Sequence, residues 1–142
     1  MKYLTARQIL LIHSMVIDET GGSHGVRSRD AVLSLVSAPK QKVFDTELYP
    51  DVFSKASVLA HNIIKFHPFV DGNKRTGMAA AAVFLADNGY ELSAKDGEIE
   101  KLALAIIKNK LDLDRIAKWF RRNATKAKGG TSHLARLGAN TA

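Results

Sequence analysis

The sequence predicts an all-α domain in which helices pack around one buried central helix, with a small β-hairpin flap outside. Three observations carry this. Apolar residues recur at helical spacing in segment after segment, with polar caps and Gly or Pro stops between them. The stretch Thr76 to Asn88 is apolar nearly all round, with Ala79 to Ala82 followed by Val83, Phe84 and Leu85, and such a helix belongs in the middle of a bundle. Residues 40 to 50 fit a helix poorly: Val43-Phe44 and Leu48-Tyr49 flank a polar turn at Asp45-Thr46-Glu47, which suggests a hairpin or an extended flap.

Each element has its own signal. Thr5-Ala6-Arg7-Gln8 has the form of a capping box, with Leu4 and Ile9 at the staple positions, so a first helix runs to about Thr20 and stops at Gly21-Gly22. Ser28 caps a second helix that ends before Pro39. Asp51 caps a third, on which Val52, Ala56, Leu59, Ile63 and Phe66 form an apolar stripe, while Ser54, Ser57, His61 and Lys65 lie on another face. Asn88-Gly89 ends the central helix. Ile99, Leu102, Ala103, Ile106 and Ile107 line a fifth helix; Leu113, Ile116, Ala117 and Phe120 line a sixth, with Trp119 beside the stripe as a core residue.

The chain of 142 residues has room for one domain. With 46% apolar and 25% charged residues it has the balance of a globular protein, which argues against wholesale disorder. No apolar run is long enough to span a membrane, and Met1 to Ala6 lacks the pattern of a signal peptide. With no cysteine, disulfides and thiolate zinc sites are excluded, and the reducing cytoplasm is the expected location. Lys and Arg total 21 against 14 Asp and Glu, a net charge of +7 that calls for an anionic partner. Residues 125–142 carry Lys126, Lys128 and Arg136 with no acid, and read as a flexible basic tail after a domain spanning 1–124.

The chemistry concentrates in His67-Pro68-Phe69-Val70-Asp71-Gly72-Asn73-Lys74-Arg75-Thr76, a short loop that leads into the central helix. A helix N-terminus offers unpaired amides and partial positive charge, which suits phosphate. Gly72 lets backbone approach an anion, and Asn73, Lys74 and Arg75 add one neutral and two cationic donors. Lys and Arg at this end of a helix oppose its dipole unless an anion is present. Asp71 is an acid among cationic donors; beside a polyphosphate its best use is to hold Mg²⁺. The imidazole of His67, neutral at pH 7, can take a proton from a hydroxyl. Phe69 and Val70 are expected to be apolar pegs. Base, metal ligand and phosphate cradle together are what phosphoryl or nucleotidyl transfer requires.

This segment resembles the signature of the Fic/Doc family, His-x-Phe-x-Asp/Glu-Gly-Asn-x-Arg, with all six specified positions met by His67, Phe69, Asp71, Gly72, Asn73 and Arg75. The helices around it resemble the Doc (death-on-curing) branch over most of residues 1–124, as do Gly21-Gly22 with Arg27 and Tyr49-Pro50. The resemblance implies a compact Fic/Doc helical bundle and ATP with Mg²⁺ as cofactors. It also implies His67 as general base, Asp71 as Mg²⁺ ligand, and Gly72, Asn73 and Arg75 as a phosphate nest. A flap at about 41–49 would hold the target's backbone by strand addition. The AMP-transferring members have Gly where Lys74 stands and a second Arg where Met78 stands. Both departures are shared with the Doc branch, whose nucleotide presents the γ-phosphate. The resemblance therefore implies a protein kinase toxin that modifies a threonine of elongation factor Tu and arrests translation. It also implies a Phd-like antitoxin acting in trans. Self-inhibited Fic proteins carry Ser/Thr four residues before a Glu; the residues four before each Glu here are Met15, Val43, Asp87, Ala94 and Asp96.

Two other readings remain open from sequence: AMP transfer on the same fold, and a basic nucleic-acid-binding module without catalysis. Direct nucleic-acid binding is not expected, because no aromatic residues interleave with Arg121-Arg122 or the tail. His13 is expected to be a packed, hydrogen-bonded core histidine. His24 and His61 are expected in solvent. Lys65, two residues before His67, is a candidate phosphate ligand.

Overall fold

Local capping chemistry starts the helices where the sequence places it. In the computed structural model, which describes residues 1–127, α1 (Ala6–Thr20) opens on the expected reciprocal box. Thr5 Oγ1 accepts from the Gln8 amide at 3.1 Å, and Gln8 Oε1 accepts from the Thr5 amide at 2.9 Å. The helix stops at Gly21, whose φ of +88° costs little without a Cβ. Ser28 caps α2 (Arg29–Ser37), which tightens into a 3-10 turn at Ala38–Lys40. Asp51 caps α3 (Val52–Phe66) by accepting from the amides of Phe53 and Ser54 at 2.8 and 2.9 Å. The bundle is completed by α4 (Asn73–Asp87), α5 (Glu98–Ile107) and α6 (Leu113–Arg122), the last capped by Asp112.

The fold class is as the sequence predicts. Helix α4 is the buried centre, packed against α1, α3 and α5, and α3 also packs against α6. It begins at Asn73 rather than Thr76, because Gly72 at φ +74° already turns the chain into the helix. Small residues let α3 lie close: a Cβ on Gly77 would stand 2.8 Å from Ile64 Cγ1 and 3.1 Å from the Ala60 carbonyl. Gly77→Val should therefore lower stability by about 3 kcal/mol, the upper range for overpacking. Urea unfolding checks this, and a loss below about 0.5 kcal/mol, the scatter of ordinary surface changes, would refute the close contact.

The flap is a two-residue ribbon: β1 (Lys42–Val43) pairs antiparallel with β2 (Thr46–Glu47), with Lys42 opposite Glu47 and Val43 opposite Thr46. Phe44 and Asp45 turn it with φ of 49° and 63°, the sign that a twisted hairpin requires. A second ribbon was not expected. β3 (Tyr90–Leu92) pairs with β4 (Ala124–Lys126), so Thr125 and Lys126 belong to the fold and the domain does not end at 124. Three residues are too few for an alternation signal. The rest of the expected tail, 128–142, lies outside the described residues.

Four side chains differ from expectation. Phe66 closes the α3 stripe but is half exposed, because the helix ends there. Ser57, placed on the polar face, is fully buried, with its hydroxyl donating to the Ser54 carbonyl at 2.9 Å. Val70 is exposed while Phe69 is buried: Phe69 bridges to Val26 in extended backbone, whose alternation sends one side chain in and the next out. His61 is half-buried against Asn62, whereas His24 is exposed and paired with Asp18 at 2.8 Å, and Trp119 packs in the core.

Candidate active site

Helix α3 delivers His67 as its C-terminal cap, in the left-handed conformation (φ 48°, ψ 60°), which turns the chain sharply towards α4. The ring is exposed and faces a cavity of about 830 Å³. The next residues, Pro68 and Phe69, are buried and anchor the loop. Phe69 stacks flat on His13 of α1, with ring centroids 3.9 Å apart and planes within 4°. His13 Nε2–H donates to the Asp71 carbonyl at 2.8 Å. His13 is thus packed and hydrogen-bonded as expected, but its partners are in the motif loop itself. Sequence could show the burial and not the partner.

A neighbouring loop braces the motif from the other side. The amides of Arg27 and Ser28 donate to the Pro68 carbonyl at 2.8 and 3.1 Å, and the Val70 amide donates to Gly25 at 3.0 Å. Asp71 sits between the two loops. Its Oδ1 accepts from the Gly72 amide at 2.9 Å, and its Oδ2 from the Ser23 amide at 3.1 Å. The Ser23 amide foremost, then that of Gly72, holds the Asp71 carboxyl below the usual carboxylate range; Arg75 and His13 add to this, and partial desolvation works against it. Asp71 is therefore ionised at neutral pH, with lone pairs left over for a metal.

Helix α4 starts on Gly72 with no side-chain cap and no acid in its first turn. A Cβ at Gly72 would stand 2.8 Å from Ile17 Cδ1, so the backbone there is as close to α1 as glycine allows. The first amides of such a helix have no internal partner. Lys74 and Arg75 are exposed at this end and line the cavity with His67, Asp71 and Gly72. Arg75 Nη1 also donates to the Gly21 carbonyl at 3.1 Å and to the Thr20 hydroxyl, at the C-terminus of α1. The cavity's other wall is largely apolar, with Met78, Ala79 and Ala82 of α4, Leu92 of β3, and Ile99, Ala103, Leu104 and Ile107 of α5, and it also carries the carboxylate of Glu100 on α5.

Two expected phosphate ligands are employed otherwise. The side chain of Asn73 is buried and braces the loop: its Oδ1 accepts from the Phe69 amide at 3.1 Å and its Nδ2 donates to the Phe69 carbonyl at 2.9 Å. Its backbone amide is what remains to face an anion. Lys65 is outside the cavity lining; its Nζ donates to the Ile107 carbonyl at 3.3 Å, where the end of α5 attracts a cation. The structure thus brings together an exposed imidazole, an ionised carboxylate and an uncapped cationic helix start on one cavity.

Comparison with known proteins gives the family. The family model described as Fic/DOC family matches residues 3–85, which contain the whole motif loop. The chain is 34% identical over 119 residues to "Toxin Doc" of Mycolicibacterium smegmatis (strain ATCC 700084 / mc(2)155), covering 82% of this chain and 88% of that protein. It is 22% identical over 122 residues to "Protein kinase doc" of Escherichia phage P1, covering 86% and 95% respectively. The chain belongs to the Fic/DOC family, and within it stands with the Doc proteins.

Proposed function

We propose that this chain is a Doc-like toxin that transfers the γ-phosphate of ATP to a protein hydroxyl, with a threonine of elongation factor Tu as the target. The observation that carries the reading is the convergence of His67, Asp71 and the uncapped start of α4 on one cavity. The relatives' names, a toxin and a protein kinase, support the same class. In this reading His67 takes the proton as the hydroxyl oxygen attacks the γ-phosphorus. The new O–P bond forms, the bond to the β-phosphate oxygen breaks, and ADP leaves. The amides of Asn73, Lys74 and Arg75, with the Lys74 ammonium and the free part of the Arg75 fork, hold the phosphates.

The residues present fit Mg²⁺. Asp71 is an ionised carboxylate beside an anion cradle, Glu100 lines the same cavity from α5, and among the described residues no three His, Asp or Glu cluster to form a closed protein cage. Such an ion takes one or two carboxylates and completes its shell with phosphate oxygens and water. Held there, Mg²⁺ would neutralise charge on the leaving diphosphate.

Lys74 and Met78 favour phosphoryl over AMP transfer. A long cationic side chain stands where a diphosphate would otherwise seat against Gly, and a buried thioether lines the wall in place of an ion-pairing Arg. The flap edge would receive the target strand. Inhibition would come from a Phd-like antitoxin in trans, in the cytoplasm. Among the described residues no helix is long and apolar enough to cross a membrane.

Purified protein incubated with elongation factor Tu and ATP–Mg²⁺ tests this by intact mass. A gain of about 80 Da on the target is the expected phosphoryl product, whereas about 329 Da would mean AMP transfer. No gain, with binding to nucleic acid that falls steeply with salt, would favour the non-catalytic module. Gly22→Ala tests the Asp71 position: an added Cβ would stand 2.6 Å from Asp71 Oδ2, at a φ of +114°. The displaced carboxylate should lower Mg²⁺-dependent transfer about 10²-fold, the cost of a misplacement near 1 Å. Unchanged Mg²⁺ dependence would contradict it.

A further inference from the structure

Helix α3 carries a buried charge that the chemistry above does not use. The side chain of Lys55 is 1% exposed. Its Nζ donates to the Pro39 carbonyl at 2.9 Å and to Glu47 Oε1 at 3.0 Å, and lies 5.5 Å from the centroid of the Tyr3 ring. An ammonium taken out of water is tolerated only when its protons are met in this way. Glu47 belongs to β2 of the flap, and Pro39 to the turn that leads into the flap.

The hairpin has little else to hold it. All six residues 42–47 are exposed, so it contributes nothing to the apolar core. Its base is closed by the Leu48 amide donating to Gln41 at 2.9 Å, and its two strands hold two residues each. A hairpin so short is not stable alone. Its turn sets Phe44, 98% exposed, in left-handed backbone, which adds local strain.

We infer that Lys55 is a positioning residue. It clamps the flap to the helix that ends in His67, and so fixes where the flap edge offers the target hydroxyl to the base. Twelve residues separate Lys55 from His67, about 18 Å along one rigid helix. One element therefore carries both the base and the flap's anchor, and the flap cannot drift relative to the base while the clamp holds. The inference rests on the reading of the flap edge as the target's docking strand.

The test is Lys55→Met, which fills the same space without the charge, read by hydrogen exchange and by transfer kinetics on the full chain. The Glu47 carboxylate, half-exposed, can turn to water, while the Pro39 carbonyl loses its donor. Helix content should therefore hold, with a modest fall in thermal midpoint. The amides of Gln41 to Leu48 should exchange about tenfold faster, as expected of a locally released segment. KM for the protein target should rise about tenfold, with kcat and KM for ATP within about twofold, because only target docking is disturbed. Glu47→Gln, at the exposed partner, should loosen the same amides by a smaller factor, and it decides the matter if Lys55→Met does not fold.

Unchanged exchange in the hairpin overturns the clamp. Faster exchange with an unchanged target KM overturns its positioning role. If the parent protein transfers nothing to any target, the functional reading has failed on its own account, while hairpin exchange still decides whether Lys55 is the clamp.

Discussion

His67→Ala is expected to abolish transfer to the target and growth arrest in cells, while leaving helix content unchanged. The ring is exposed at the end of α3 and no core residue depends on it. Both His and Ala pay a similar cost for the left-handed backbone at this position, so stability should change little. The loss is chemical. Without the imidazole no neighbouring group on the loop can accept the hydroxyl proton: Asp71 is held ionised, far below the basicity needed, and Lys74 and Arg75 are cations. A general base contributes about 10²–10⁴-fold, enough to take label transfer below detection. Circular dichroism with a label-transfer assay checks both halves. Full toxicity in the variant would remove His67 from the mechanism.

Asp71→Ala should be nearly as severe, and it separates two jobs of one carboxylate. The side chain is the candidate Mg²⁺ ligand, and it also ties the Ser23 loop to the start of α4 by accepting hydrogen bonds from the Ser23 and Gly72 amides. Alanine removes both; asparagine keeps an oxygen acceptor and loses the charge. Mg²⁺-stimulated turnover should vanish in both variants, while the 21–25 loop should exchange faster in the alanine variant. The pH dependence has a defined sign. The Asp71 pKa is lowered on folding, so its contribution is complete above the ordinary carboxylate range and is lost as pH falls through the lowered value. Loop order should thus be flat through neutral pH and fall only in acid. A titration that weakens the loop as pH rises from neutral would contradict this assignment. So would unchanged Mg²⁺-stimulated turnover in the asparagine variant.

What could be read from sequence was local. The Thr5–Gln8 box, the Asp51 cap, the all-round apolar character of α4 and the dense order of His67 to Arg75 are signals within a few residues. Helical spacing also says which face is buried. It does not say what that face meets. The partners of His13 and the burial of Lys55 lie across the chain, so their roles emerge only once α1, α3 and the flap are assembled. Asn73 and Lys65 show the same limit from the other direction. Each has the right chemistry at the right end of a helix, yet the fold supplies a nearer partner, the Phe69 backbone for one and the Ile107 carbonyl for the other. The β3–β4 ribbon was invisible because three-residue strands carry no periodicity of their own.

The proposed transfer requires a triphosphate seated at the uncapped start of α4 with its last phosphorus turned to His67. A crystal structure with a non-hydrolysable ATP analogue and Mg²⁺ tests this most directly. The expected result places phosphate oxygens on the amides of residues 73–75, the ion on Asp71 and the γ-phosphorus facing the imidazole. Phosphates bound elsewhere, or an α-phosphorus facing His67, would contradict it.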